Sequence, residues 1–321
     1  MPMKRIAVLT TGGDAPGMNA AIRSVVRSGI YNKLEVMGVF RGWCGLINGD
    51  LKLFDSHSVS GIINQGGTIL KTSRCPEFRD EKNQARAYDA LKKNNIDGMV
   101  IIGGNGSFRA AHGFYQKYKI PVIGIAASID NDVNGVDYTF GADTAINTAL
   151  ASIDNIRDTA TSMERIFVVE VMGRDCGFLA LSVALAGGCE DVLIPERKFD
   201  IHEMCHAIVE GNLRGKVSWI IIVAEGAGSA VEIAKQINEI TGLETRPVIL
   251  GHVQRGGRPT AVSRDLALHL GKVAVQSLLK GETDKAVGYV GGKIVLIDFE
   301  IAVKAKEYNV DNMLNLIKVL T

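Results

Sequence analysis

Asp130 and Asp132 stand two positions apart in Ala126-Ala127-Ser128-Ile129-Asp130-Asn131-Asp132, directly after the apolar run Pro121 to Ile125. That run reads as a buried strand, so both carboxylates sit just past a strand's carboxyl end, where open α/β sheets place their ligands. In extended backbone the two side chains point to the same face. Like charges so close repel each other unless a cation or a shared proton intervenes. The pair therefore points to a metal-bound phosphate site or to acid/base chemistry. The competing reading is an Asx-rich turn, in which these side chains bond only nearby backbone amides.

Four glycine turns follow other apolar runs. Thr10-Thr11-Gly12-Gly13-Asp14-Ala15-Pro16-Gly17-Met18-Asn19 joins a first strand to a first helix. Glycines let the backbone approach a phosphate, and the helix start behind them offers free amides and partial positive charge. No Lys-Ser/Thr follows at P-loop spacing, so this is a different phosphate turn. Gly103-Gly104-Asn105-Gly106-Ser107 repeats the arrangement, and Arg109 stands where a dinucleotide fingerprint needs its third glycine. A nicotinamide site is disfavoured on that ground. Met172-Gly173-Arg174-Asp175-Cys176-Gly177 adds an arginine able to grip a phosphate with two parallel bonds. Gly251-His252-Val253-Gln254-Arg255-Gly256-Gly257 adds His and Arg.

His202-Glu203-Met204-Cys205-His206 matches the zinc-protease pattern. No third ligand follows at metzincin spacing, and Asp200 capping a polar-faced helix explains the segment.

These turns need strands and helices to hold them. Strand patterns cover Ile6 to Thr10, Glu35 to Phe40, Gly98 to Ile102, Val122 to Ile125, Ile166 to Val171, Val217 to Ala224 and Lys293 to Asp298. Helical periodicity is clearest from Thr144 to Arg157, and recurs at Met18 to Ser28, Lys82 to Asn94, Phe108 to Tyr118, Ile201 to Asn212 and Ser263 to Leu279. Such alternation, with continuously apolar strands, predicts parallel sheets covered on both faces. The stretch after Asp132, where Gly135 and Gly141 bracket a short crossover, is the expected first crossing between halves.

A chain of 321 residues exceeds one ordinary core and fits two domains. With 46% hydrophobic and 22% charged residues and a formal charge of +1, it has no bias toward nucleic acid or an anionic membrane. No run nears the roughly 18 apolar residues of a membrane span, and the N-terminus lacks a signal core. Cys44, Cys75, Cys176, Cys189 and Cys205 form no Cys-x-x-Cys pair, so free thiols in a reducing cytoplasm are expected.

In order and approximate spacing, the blocks Gly12 to Asn19, Ser128 to Asp132, Met172 to Gly177 and Gly251 to Gly257 resemble the ATP-dependent 6-phosphofructokinases of bacterial type, over essentially the full chain. The resemblance implies the phosphofructokinase fold, two Rossmann-like three-layer α/β domains with mostly parallel sheets. It implies a larger nucleotide-binding domain of 1–141 plus 254–304 and a smaller sugar-phosphate-binding domain of 142–253 plus 305–321. It implies a cytoplasmic, glycolytic, allosteric homotetramer that transfers the γ-phosphoryl of MgATP to the 1-hydroxyl of fructose 6-phosphate.

By the same resemblance, Asp130 takes the sugar hydroxyl proton, Asp132 and Asn105 attend the Mg2+, Ser128 contacts the phosphoryl group, and Arg174 stabilises its charge. ATP falls to Gly13, Trp43, Arg74, Cys75, Arg79, Gly106, Ser107 and Ala110. The sugar phosphate falls to Ser128, Asp130, Met172, Gly173, Arg174, Glu225, His252 and Arg255, with Arg165 and Arg246 reaching the 6-phosphate from a neighbouring subunit. An effector site for ADP or phosphoenolpyruvate falls to Arg23, Arg27, Arg157, Glu190, Arg214 and Lys216.

Several positions depart from the family pattern. Ser56 replaces a common effector-site arginine, Trp43 and Cys75 replace Tyr and Phe, and Ala110 replaces a glycine. Asn105 replaces an aspartate, which removes a negative charge from the metal surroundings. Ala126-Ala127 replaces Pro-Gly. Gly106 and Ala127 stand where pyrophosphate-using relatives often carry an acid and a lysine, which favours ATP. The alternatives are a pyrophosphate-dependent or other sugar-phosphate kinase, or a catalytically weak regulatory subunit.

Overall fold

The computed structural model describes residues 3–321. The chain opens with β1 (Arg5–Thr10), α1 (Met18–Tyr31), β2 (Glu35–Val39), α2 (Gly42–Asn48) and β3 (Leu51–Phe54). A 3-10 turn at Pro76–Arg79 leads to α3 (Glu81–Lys93), β4 (Gly98–Gly103), α4 (Asn105–Tyr118), β5 (Val122–Ser128), β6 (Phe140–Gly141) and α5 (Ala142–Met163). A second group follows: β7 (Ile166–Val171), α6 (Phe178–Gly187), β8 (Asp191–Leu193), α7 (Ile201–Leu213), β9 (Trp219–Ala224), α8 (Ala230–Thr241) and β10 (Thr245–Ile249). After a 3-10 turn at Gly251–Arg255 come α9 (Ala261–Leu279), β11 (Lys285–Val290), β12 (Lys293–Asp298), α10 (Phe299–Ala302) and α11 (Val310–Leu320).

These elements form two compact units. The first comprises Met1–Thr144 and Arg255–Lys306, the second Ala145–Gln254 and Glu307–Thr321. In the first, the strand order is β12-β11-β5-β4-β1-β2-β3, with β6 paired to β5. The sheet is parallel from β11 to β2 and antiparallel only at its edges, β11 with β12 and β2 with β3. Strand order reverses between β1 and β4, which is the crevice where such sheets bind ligands. The second unit holds a four-stranded parallel sheet, β10-β7-β9-β8.

The parallel α/β expectation is met for a simple reason. Every residue of β4 is buried, as is β1 after its first residue, because helices cover both faces. Close packing uses small residues. A Cβ added at Gly271 of α9 would lie 2.6 Å from Ser24 Cβ of α1. One added at Gly124 of β5 would lie 2.4 Å from the Phe108 ring, which stacks on Phe299 with centroids 5.1 Å apart. Asp80, Asp200 and Thr260 cap α3, α7 and α9 by accepting from backbone amides.

Some elements escape pattern reading. Helix α6 is apolar on nearly all sides, because it is buried and shows no amphipathic period. β10 contains Pro247 and is largely exposed, which an edge strand tolerates.

One expectation is corrected outright: Cys44 and Cys75 are joined by a disulfide, leaving Cys176, Cys189 and Cys205 as buried free thiols. Thirty-one positions apart in sequence, the pair meets only because α2 packs against the turn at Pro76–Arg79.

Candidate functional site

In the first unit, adjacent strands β1, β4 and β5 place three loops side by side. β1 feeds the first glycine turn, where Gly12 and Gly17 take left-handed backbone angles of 87° and 105° that favour glycine. β4 feeds the second, Gly103 to Ser107, and β5 ends at Ser128. Ser107 Oγ donates to the Thr11 carbonyl at 2.9 Å and ties the two glycine turns together. The Ser107 hydroxyl therefore braces the loops, while exposed Gly13 and Gly106 offer backbone surface. The Arg255 guanidinium lies against the first turn, donating to the Asp14 carbonyl at 3.1 Å, and a Cβ at Gly13 would meet it at 2.7 Å. Arg255, expected on the sugar, thus packs on the same turn as Gly13.

The aspartate loop differs from its simplest expectation. It is not extended: Asn131 takes a left-handed φ of 54°, so strand alternation does not align Asp130 and Asp132. Asn131 is fully buried and holds the turn by donating to the Asp137 carbonyl at 2.9 Å and accepting from the Thr139 amide at 2.8 Å. Asp130 is 5% exposed, and its amide donates to Ser128 Oγ at 3.1 Å. Ser128 Oγ in turn donates to Asp132 Oδ1 at 2.8 Å. Asn105, at the start of α4, donates through Nδ2 to the Asp132 backbone oxygen at 2.9 Å and to Oδ2 at 3.1 Å. Asx-turn bonding and the carboxylate cluster therefore coexist in one loop.

Asn105 Oδ1 is buried and accepts no hydrogen bond. A buried acceptor beside a carboxylate is the oxygen chemistry that hard divalent cations use. Asn105 and Asp132 thus fit a magnesium ion.

Trp43 departs from its expected place beside a base. It is 3% exposed, stacks on Phe78 with centroids 4.2 Å apart and touches Phe114, so its ring belongs to the core. Cys75 carries its sulfur in the disulfide. Arg74 and Arg79 flank it and are exposed, as is Gly106, and Ala110 is half-buried on α4. Among the described residues, Cys44, Cys75 and Glu77 bring three ligand-type atoms within 4.8 Å, two of them being the bonded sulfurs.

In the second unit, the turn after β7 holds Met172, Gly173 and Arg174. Gly173 has φ 143°, and a Cβ there would lie 2.5 Å from the Cys176 carbonyl oxygen. The Arg174 amide donates to Glu225 Oε1 at 3.1 Å, and the Met172 amide to Gln254 Oε1 at 2.8 Å. Gln254 is fully buried, a support that its place directly after two exposed residues, His252 and Val253, did not announce. Arg165 pairs with Glu244 at 2.9 Å, and Arg246 Nε donates to the same carboxylate at 2.9 Å. These two arginines hold the Glu244 carboxyl below its usual range, Arg165 first. Glu244 was not among the expected site residues, and only the fold brings it between two arginines from different strand ends.

The expected effector residues fall in two groups. On α1, Arg23 donates to the Val59 carbonyl at 2.7 Å and Arg27 to the Ser56 carbonyl at 3.1 Å. In the second unit, Arg157 donates to the Gly188 carbonyl at 2.8 Å, Lys216 pairs with Glu190 at 3.5 Å, and Arg214 pairs with Glu210 at 2.8 Å. Burial pushes the neighbouring Cys189 thiol up to about 12, against the opposing pull of Arg157. His202 and His206 lie on α7, where Asp200 caps the helix through the His202 and Glu203 amides, as expected for a structural segment.

The model of the phosphofructokinase family matches residues 5–278. The chain is similar to the ATP-dependent 6-phosphofructokinase of Clostridium acetobutylicum, at 51% identity over 98% of this chain and 100% of that protein. It is likewise similar to the ATP-dependent 6-phosphofructokinase of Halothermothrix orenii, at 52% identity over 96% of each. Among solved structures, phosphofructokinase from Saccharomyces cerevisiae superposes with a TM-score of 0.90 at 35% identity, covering 99% of this chain and 48% of that one.

Proposed function

The chain belongs to the phosphofructokinase family, and from that premise we propose that it transfers the γ-phosphoryl of ATP to the 1-hydroxyl of fructose 6-phosphate. The products are fructose 1,6-bisphosphate and ADP. One observation carries the reading: Ser128, Asp130, Asp132 and Asn105 are bonded into one cluster beside two glycine turns at the strand-order reversal of a parallel sheet.

Phosphoryl transfer needs positioning and charge stabilisation more than covalent help. Asp130, held nearly out of water, is the base that accepts the sugar hydroxyl proton. Ser128 orients it through the bond to the Asp130 amide, and lines the path of the phosphoryl group. Gly13, Arg74, Arg79 and Gly106 receive the nucleotide, with backbone amides and guanidinium groups meeting its negative oxygens. Asn105 and Asp132 would hold magnesium, which when bound neutralises charge on the nucleotide oxygens.

Met172, Gly173, Arg174, Glu225 and His252 form the sugar-phosphate set, and Arg174 offsets the charge that develops in transfer. Arg165 and Arg246 reach the 6-phosphate of a neighbouring subunit in a homotetramer. Arg23, Arg27, Arg157, Glu190, Arg214 and Lys216 take ADP or phosphoenolpyruvate. The setting is glycolysis in the cytoplasm, and no helix among the described residues is long and apolar enough to cross a membrane.

A steady-state assay with fructose 6-phosphate tests this directly, comparing ATP with pyrophosphate, with and without ADP and phosphoenolpyruvate. ATP-dependent turnover is expected. Turnover with pyrophosphate alone, or with neither donor, would defeat the reading.

A further inference from the structure

We infer that Cys44 and Cys75 are a covalent-modification site, a reversible dithiol/disulfide pair that controls how firmly Arg74 and Arg79 are presented to the nucleotide. The consequence for nucleotide rests on the ATP reading above; the exchange chemistry does not. The two α-carbons lie 5.5 Å apart, a span that disulfides ordinarily occupy. Both residues are half-buried, so a small reagent can reach the sulfurs, whereas the other three cysteines are buried. The bond joins the first turn of α2 to the residue just before the Pro76–Arg79 turn.

The same elements are joined a second time, without covalent help, by the stack of Trp43 on Phe78. Reduction therefore leaves the core contact in place and loosens what lies outside it. Arg74 precedes Cys75, and Arg79 ends the turn; both side chains are exposed, and the turn is also held by Asn83 and Gln84 of α3, which donate to the Glu77 and Phe78 carbonyls at 3.0 Å each.

Oxidation by a low-molecular-weight disulfide, R–S–S–R, proceeds by two exchanges. The Glu77 carboxylate lies 3.8 Å from Cys44 Sγ and within 4.8 Å of Cys75 Sγ, so it acts on both thiols and either can attack first. Where Cys75 leads, its thiolate attacks one sulfur of the reagent, forming a mixed disulfide and releasing RS⁻. The Cys44 thiolate then attacks the Cys75 sulfur, forming the Cys44–Cys75 bond and releasing the second RS⁻. Two electrons pass from the protein thiols to the reagent, and the two cysteine protons end on the released thiols. A dithiol reverses the sequence.

The test uses the full chain, reduced with dithiothreitol, desalted and then incubated with oxidised glutathione. Peptide mapping without reduction is expected to find the Cys44–Cys75 linkage. The KM for ATP is expected to be roughly two- to tenfold higher in the reduced form, the scale of ordering one or two long side chains. The KM for fructose 6-phosphate should not move. Cys44→Ser keeps the Trp43–Phe78 stack and should show the reduced-form KM under both treatments, with an unchanged far-UV circular dichroism spectrum. Failure of the linkage to form, equal KM values for ATP in the two forms, or the same shift persisting in Cys44→Ser would overturn the inference. Mapping needs no turnover, so a chain that forms the bond but phosphorylates nothing would sink the ATP reading and the nucleotide effect, while leaving the exchange site standing.

Discussion

Asn105 grips Asp132 twice, through its backbone oxygen at 2.9 Å and its carboxylate Oδ2 at 3.1 Å, while the amide's own oxygen is buried without a hydrogen-bond partner. A neutral amide here supplies a donor that an aspartate could not. Asn105→Asp replaces that donor with a second negative charge against Asp132, and like charges at this range repel. The variant is expected to melt lower than the parent in metal-free buffer and to recover more on adding Mg2+. Thermal denaturation with and without Mg2+ checks it; equal Mg2+ responses in the two proteins would refute it.

Asp130 tests the chemistry most directly. A general base contributes about 10²- to 10⁴-fold, so Asp130→Asn is expected to lower kcat by that order while leaving sugar-phosphate affinity nearly intact. A coupled assay of ADP release reads kcat, and equilibrium binding reads affinity. Turnover near the parental rate would remove Asp130 from its role.

Asn131 shapes the loop from its buried side, through bonds to Asp137 and Thr139. Asn131→Ala loses bonds to Asp137 and Thr139 and keeps a left-handed backbone angle that alanine resists. A loss of about 3–4 kcal/mol is expected, at about 1 for each of the two bonds and 1–2 for the conformation. Urea unfolding measures it. Asn131→Gly relieves only the conformational part, so it should fall between parent and alanine variant.

Glu244 gives a pH signature. Arg165 and Arg246 lower its folded-state value, so its pairing contributes stability above the ordinary unfolded value and loses it as pH falls through the depressed one. Carbon-detected NMR titration should place Glu244 below ordinary glutamates, and Arg165→Ala should move it upward. An unshifted titration in the parent would contradict the pairing. In turnover, Arg165→Ala or Arg246→Ala is expected to raise the KM for fructose 6-phosphate about 10- to 100-fold and the KM for ATP far less, since each would remove the charge-assisted phosphate contact proposed above.

Cys189 should resist alkylation. Its thiol is buried and pushed up to about 12, so the reactive thiolate is scarce near neutrality. In the reduced protein, iodoacetamide at pH 8 should label Cys44 and Cys75 well before Cys189, as peptide mapping by mass spectrometry would reveal. Early labelling of Cys189 would contradict its burial.

Strand-like runs, helical periodicity and the order of the four motif blocks were legible in the amino-acid sequence because they are local. β4 and β5 announce themselves as continuous stretches without a charge since a parallel sheet is buried on both faces. The position of Ser128 to Asp132 past a strand end was visible for the same reason. Pairings across distance were not. The strand order that sets β4 beside β1, the Cys44–Cys75 bond across 31 positions, the seat of Arg255 on the Gly13 turn and the meeting of Glu244 with Arg165 all depend on which elements pack together. Even within the aspartate loop, alternation suggested a shared face, and the buried bonds of Asn131 overrode it. Residue types and spacing determine which groups are available for chemistry; the tertiary structure decides which of them meet, because hydrogen bonds and packing act across a few ångströms of space whatever the separation along the chain.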